Sequence, residues 1–124
     1  MGKLSTDIQK RPIVFVAGPY SAPTEEEVKR NIKNAINIGR ILFEKGYYPI
    51  VPHVLVREYY NPEDKHGIFG YEPMMHYTQS IISKCDILLF IDHSPGVDRE
   101  LKFAEDLGKP IYFDVNHLPV LNIE

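Results

Sequence analysis

Two stretches of the chain are apolar without interruption, residues 13–17 (IVFVA) and 87–91 (ILLFI). Runs of that length, bounded by turn residues, are the pattern of strands covered on both faces, as in parallel sheets. Elsewhere the apolar positions recur at helical spacing. Thr24 and Glu27 form a T-x-x-E capping box, after which Val28, Ile32, Ala35, Ile36, Gly39, Leu42 and Phe43 line one face of a helix closed by Gly46. Residues 48–51 make a second strand that ends at Pro52 and His53. A helix is predicted over residues 73–84, with Met74, Thr78, Ile81 and Ile82 on its inner face. Pro95 and Gly96 break the strand at 87–91, and Val97, Leu101, Ala104 and Leu107 mark the helix that follows. Gly108 and Pro110 stop it. Residues 111–115 make a fourth strand, and residues 116–124 a tail that docks on a neighbour or on its own subunit. Two segments carry no period. Residues 1–11 are polar and read as a flexible leader, and residues 54–72 are aromatic, charged and punctuated by Gly and Pro. Within the latter, residues 54–60 fit a lid over a pocket and ordinary surface packing equally well.

Strand and helix alternate throughout, so the expected class is α/β, one domain over residues 12–124. The architecture is a Rossmann/flavodoxin-like, doubly wound parallel sheet of four or five strands, in the order 2-1-3-4. That order puts a topological switch point between the first and third strands, and ligands of such sheets bind there, outside the carboxyl ends. Two loops then flank one crevice. One holds Gly18, Pro19, Tyr20 and Ser21, and the other runs from Asp92 through Ser94 to Gly96, with Val97 and Glu100 just behind it. The backbone N–H groups at the start of that helix are expected to keep Glu100 ionised.

Composition narrows the classes. At 124 residues, 44% hydrophobic and 25% charged, the chain has the make-up of an ordinary globular domain. A formal charge of −3 supplies no basic field, so no nucleic acid polymer is expected as a partner. No apolar run approaches the roughly 20 residues that span a bilayer, so no membrane partner is expected and a cytoplasmic setting is the default. The single cysteine, Cys85, forms no internal disulfide and reads as a small buried residue. His53, His66, His76, His93 and His117 contain no close-spaced pair, and no metal site is expected. The loop at Gly18 lacks both the G-x-G-x-x-G fingerprint and the P-loop lysine, and no G-x-S-x-G elbow is present, so no cofactor is expected.

Taken singly, the crevice residues are commonplace. Glu100 is a helix glutamate, Tyr20 a loop tyrosine, His53 a strand-end histidine, Ser94 a turn or cap residue, and Gly18 a turn glycine with positive φ. Their convergence on one crevice is what singles them out.

The motifs VFVAGPYS, G-x-x-PIVPH and D-x5-D-x-S-x-G-x3-E-x3-A-x3-GKP resemble the nucleoside 2-deoxyribosyltransferase-like superfamily. It contains nucleoside 2′-deoxyribosyltransferases and nucleoside 5′-monophosphate N-glycosidases. The resemblance runs from residue 13 to residue 113, and the S-x-G-x-x-x-E block is its most specific part. It implies that Glu100 attacks C1′ of the sugar and forms a glycosyl ester, which water or a second base resolves. It also implies that the loop from Gly18 to Ser21 wraps sugar and base, with Tyr20 holding the carboxylate or the sugar. His53 matches a histidine of the hydrolase branch. Ser94 stands where the transferases carry an acid and where the nucleotide hydrolases carry a serine for the 5′-phosphate. The expected phosphate site is Ser94 with the N–H groups of Gly96 and Val97; Asp92 is a further expected contact.

One position departs from the family. Thr78 occupies the place of an aspartate that protonates the leaving base, and Glu72, His76, Asp92 and His53 are the available substitutes. The expected function is hydrolysis of a nucleoside 5′-monophosphate. Deoxyribosyl transfer between nucleosides and a catalytically silent nucleotide-binding module are the alternatives. The resemblance implies a homo-oligomer, a dimer or assembly of dimers, whose neighbouring subunit completes the pocket. The Met74–Met75 pair suggests an apolar face that a small domain leaves uncovered.

Overall fold

The computed structural model describes residues 9–122. Its elements are β1 (Ile13–Ala17), α1 (Glu25–Lys45), β2 (Tyr48–Ile50), α2 (Pro52–Val56), α3 (Tyr71–Lys84), β3 (Ile87–Phe90), α4 (Pro95–Asp106) and β4 (Ile111–Tyr112). A single 3-10 turn, Val115–His117, follows. The four strands form one parallel sheet in the order β2-β1-β3-β4. The α/β class, the parallel sheet and its strand order are those the apolar pattern predicts.

The pleat divides β1 between two cores. Val14 and Val16 pack with Ala35 and Leu42 of α1, with Leu89, and with Leu118 beyond the 3-10 turn. Phe15 and Ala17 pack on the other face with Ile82 of α3, Leu88 and Phe90 of β3, and Val97 and Ala104 of α4. With helices on both faces, β1 has no solvent side, which is why its sequence is apolar without alternation. Its start is fixed by Asp86, whose Oδ2 accepts the Ile13 N–H at 2.8 Å.

The ends of α1 follow from its sequence. Thr24 accepts the Glu27 N–H at 3.2 Å, three glutamates occupy the first turn, and Gly46 closes the helix at φ 101°, a conformation open to glycine. Tyr47 then turns inward and is buried, its hydroxyl donating to the Pro119 carbonyl at 2.7 Å. Lys45 Nζ donates to the Leu118 carbonyl, and the Leu121 N–H to the Lys45 carbonyl, both at 2.8 Å. The described part of the tail therefore docks on its own subunit.

Several boundaries differ from expectation. Phe43 and Leu107 are exposed, at 54% and 47%, and Ile38 packs where Phe43 was expected. β2 ends at Ile50 and β3 at Phe90, one residue short of expectation in each case. β4 stops after two residues because the chain bends at Phe113 into a turn capped by Asp114. α3 begins at Tyr71 rather than at residue 73, with Pro73 in its first turn, where a missing N–H leaves no intrahelical bond unmade. The five-residue α2 lies in a stretch with no readable period. Met75 is buried rather than part of an uncovered face. Cys85 is buried as expected, and burial pushes its thiol up to about 11, leaving it protonated at neutral pH. Residues 1–8, most of the expected leader, lie outside the described residues.

Candidate functional site

The crevice opens where β1 and β3 end. Gly18, directly after β1, is buried, and a Cβ there would lie 2.9 Å from Ile91 Cδ1. Its φ is not positive, contrary to the sequence expectation; what favours glycine here is the close approach of the Ile91 side chain at the end of the neighbouring strand. The next residues are set by hydrogen bonds. The Pro19 carbonyl accepts from His53 Nε2 at 3.0 Å, and the Tyr20 carbonyl from Asn31 Nδ2 of α1 at 3.2 Å. Tyr20 stacks on His53, ring centroids 6.2 Å apart and planes within 12°, and meets Tyr60 edge-on at 6.5 Å.

His53 is almost fully buried on α2. Burial lowers its pKa, the carbonyls of Pro19 and Gly18 pulling the other way, so the ring is neutral at pH 7. With Nε2 donating to Pro19, Nδ1 is an acceptor, and it has no hydrogen-bond partner among the described residues.

The opposite wall is the start of α4. Ser94 is the N-cap: its Oγ accepts the Val97 N–H at 3.1 Å, and its carbonyl the Asp98 N–H at 2.8 Å. Pro95 has no N–H, so the Gly96 N–H remains for a ligand, together with the Ser94 hydroxyl hydrogen. The Val97 N–H, expected to share in phosphate binding, is already taken.

Glu100 stands one turn further along α4, 7% exposed. Burial raises its pKa from 4.5 to about 7, with the Thr78 hydroxyl pulling weakly downward. The helix start therefore does not hold it in the ordinary carboxylate range, and both its forms are populated near neutral pH. The Val97 and Asp98 N–H groups of the first turn are committed to Ser94, and desolvation outweighs the helix field. Thr78 is buried beside it on α3, and its hydroxyl donates to the Met75 carbonyl at 3.1 Å, which limits what it offers the carboxylate.

These groups line one cavity of about 250 Å³, slightly below the usual range for small-molecule sites. Gly18, Tyr20, Ser21, His53, Ser94, Gly96, Val97 and Glu100 all contribute to it, as expected from their places in the chain. Two expected contacts do not. Pro19 acts through its carbonyl on His53, and Asp92 is exposed, its Oδ1 accepting the neighbouring His93 N–H at 2.7 Å. The remaining wall comes from Pro52, Val56, Tyr60, Tyr71, Met74, Met75, Thr78 and Pro95. Tyr60 and Tyr71 sit in the aperiodic segment, whose density of tyrosines was the one available signal for them. Among the described residues, no Lys or Arg lines the cavity.

Beside Tyr71, Glu72 is paired with the Arg99 guanidinium, which lies 5.5 Å from the Tyr71 ring centroid. The Arg99 hydrogen bond holds the Glu72 carboxyl below its usual range. Of the four substitutes for the missing aspartate, Glu72 is thus engaged, His76 and Asp92 are exposed, and only His53 reaches the cavity. Among the described residues, no three His, Cys, Asp or Glu side chains come together as a metal-binding group, and no helix is long and apolar enough to cross a membrane.

Residues 12–114 match the model of a family described as a domain of unknown function (DUF7768), and the chain belongs to that family. No curated protein matches the chain.

Proposed function

We propose that this protein hydrolyses the N-glycosidic bond of a nucleoside 5′-monophosphate, with Glu100 as the nucleophile. The observation that carries the reading is Glu100 itself: a carboxylate buried in a cavity that no Lys or Arg lines, with its pKa near 7. Such a group is expensive to ionise in the empty pocket, and what relieves it is positive charge on the ligand. A sugar losing its base develops that charge at C1′, so the carboxylate is stabilised more in the transition state than before it.

In the first step a Glu100 oxygen bonds to C1′ while the C1′–N bond breaks and its electron pair leaves with the base. In the second, water attacks C1′ while the bond from C1′ to the ester oxygen breaks and its electron pair returns to Glu100; one proton of the water stays on the new sugar hydroxyl, and the other passes through solvent to the departed base. Tyr20 stacked on His53 forms a flat wall for base or sugar, and the bare His53 Nδ1 accepts an N–H or O–H from the ligand. Ser94 and the Gly96 N–H receive the 5′-phosphate at the mouth. Ser94, rather than an acid, favours nucleotide hydrolysis over transfer between nucleosides. A cytoplasmic setting, where such nucleotides are made and consumed, fits the substrate. A second copy completing the cavity is part of the same reading. Met75, being buried, no longer supports it, but the exposed Ile68 and Phe69 near the lining Tyr71 do.

One observation favours a nucleotide-binding module without turnover: Thr78 is no acid, and besides Glu100 and the neutral His53 the ionisable groups lining the cavity among the described residues are the weakly acidic phenols of Tyr20, Tyr60 and Tyr71. Both readings meet in one assay. A panel of ribo- and deoxyribonucleoside 5′-monophosphates is incubated with the protein, and free base is resolved by chromatography. The hydrolase releases base from at least one member, and Glu100→Gln lowers that rate by about 10³-fold or more while still binding the nucleotide. Binding without release by the wild type selects the module. Undiminished release by Glu100→Gln overturns the mechanism.

A further inference from the structure

A second cavity, of about 320 Å³, lies between α1 and the end of α2. Its polar lining is almost wholly cationic: Lys29, Lys33 and Arg40 from one face of α1, and Arg57 from the C-cap of α2. Four of the chain's 14 Lys and Arg residues thus converge on one concavity in a protein whose net charge is −3. No Asp or Glu lines it, and none of the four makes an ion pair or hydrogen bond among the described residues. Arg57 is not on a free loop. The α2 residues before it, Pro52, His53 and Val56, are packed against the Glu100 cavity, which sets where the guanidinium begins. Ile32 and Ile36 supply an apolar floor, and Ile36 and Arg40 are shared with an adjoining apolar cavity lined by Phe43, Val54 and Leu55.

We propose that this groove is a second binding site, for a small molecule bearing a polyphosphate. Four unpaired cations from two elements, converging on a cavity of ligand size, match a multiply charged head better than a single phosphate. The adjoining apolar cavity offers room for an organic body. Occupancy of the groove is independent of any chemistry at Glu100.

Isothermal titration calorimetry tests this on the full chain, with inorganic triphosphate and a nucleoside triphosphate as probes and inorganic phosphate as the control. Wild type should bind a triphosphate at least tenfold more tightly than phosphate, and the affinity should fall as salt rises. Lys33→Gln with Arg57→Gln should weaken triphosphate at least tenfold, while circular dichroism and unliganded melting stay as in wild type, since both side chains are exposed. Equal affinity for the two triphosphates assigns the groove to oligophosphate itself, and tighter nucleoside triphosphate binding to a ligand whose body lies over Phe43, Val54 and Leu55; either supports the site. Absence of binding at millimolar triphosphate overturns it. So does affinity that survives the double substitution, or that is lost instead on Ser94→Asp, which would move the ligand to the Glu100 cavity.

Discussion

Glu100 and Glu72 stand on neighbouring helices, α4 and α3, and are held in opposite ways. Glu72 is exposed, paired with Arg99, and its carboxyl titrates below the usual range. Glu100 is buried without a cation and titrates near 7. The first arrangement is the common one for a surface carboxylate and contributes little. The second works against folding at neutral pH, because ionising the group in an apolar cavity is unfavourable. At neutral pH such a residue does not stabilise the fold, and the contrast supports the role proposed for Glu100.

Titration of stability gives the largest effect by which the contrast can be broken. The folded pKa of Glu100 lies above its unfolded value, so its neutral form fits the fold and its ionised form does not. No penalty applies below about pH 4.5; it grows as pH rises through 7 and is complete above that. A shift from 4.5 to about 7 corresponds to roughly 3 kcal/mol. Glu100→Gln should therefore melt about 10 °C above wild type at pH 8 and within a degree or two of it at pH 4.5. Melting curves that run parallel across this range would mean that the carboxylate is solvated, and the distinction between the two glutamates would collapse.

Much of this was legible in the sequence, for reasons that differ by element. β1 and β3 announce themselves because strands buried on both faces are apolar throughout, and their order follows from right-handed crossovers. The convergence of Gly18, Tyr20, Ser94 and Glu100 then follows from topology alone. The ionisation of Glu100 did not follow. Helix position is visible along the chain, but the packing of Met75 and Thr78 from α3 around the same cavity is a tertiary fact, and burial of Glu100 there raises its pKa. α2 escaped because five residues are too few to express a period. Asp92 misled because it lies two residues from the N-cap, yet its side chain serves the next N–H and leaves the cavity.

Ser94→Asp sharpens the comparison by placing an ionised carboxylate at the mouth, in front of the buried one. Aspartate caps a helix as well as serine does, so α4 should remain formed and melting should change little. A charge within a few ångströms of the 5′-phosphate should weaken nucleoside monophosphates at least about tenfold at moderate salt, and leave nucleosides within about twofold. Competitive binding of a matched nucleoside and nucleotide reads the difference. Equal weakening of both would place the phosphate away from Ser94.

The smallest effect belongs to Glu72→Gln, and it bears on the missing acid. Glu72 was one of four residues available to protonate the leaving base in place of Thr78, and it is the one whose environment argues most directly against that role. A group held below the normal carboxylate range by a guanidinium carries no proton at neutral pH to give away, and it does not line the cavity. Its pairing with Arg99 stabilises only above its depressed pKa, is lost as pH falls through it, and is screened because both side chains reach solvent. Glu72→Gln should therefore melt with wild type within experimental scatter and change nucleotide affinity and any base release by no more than about twofold. A loss of base release by orders of magnitude, with nucleotide affinity intact, would make Glu72 the acid after all. Arg99 would then have to let it go during turnover, and the difference between a working carboxylate and a surface one would no longer be set by burial.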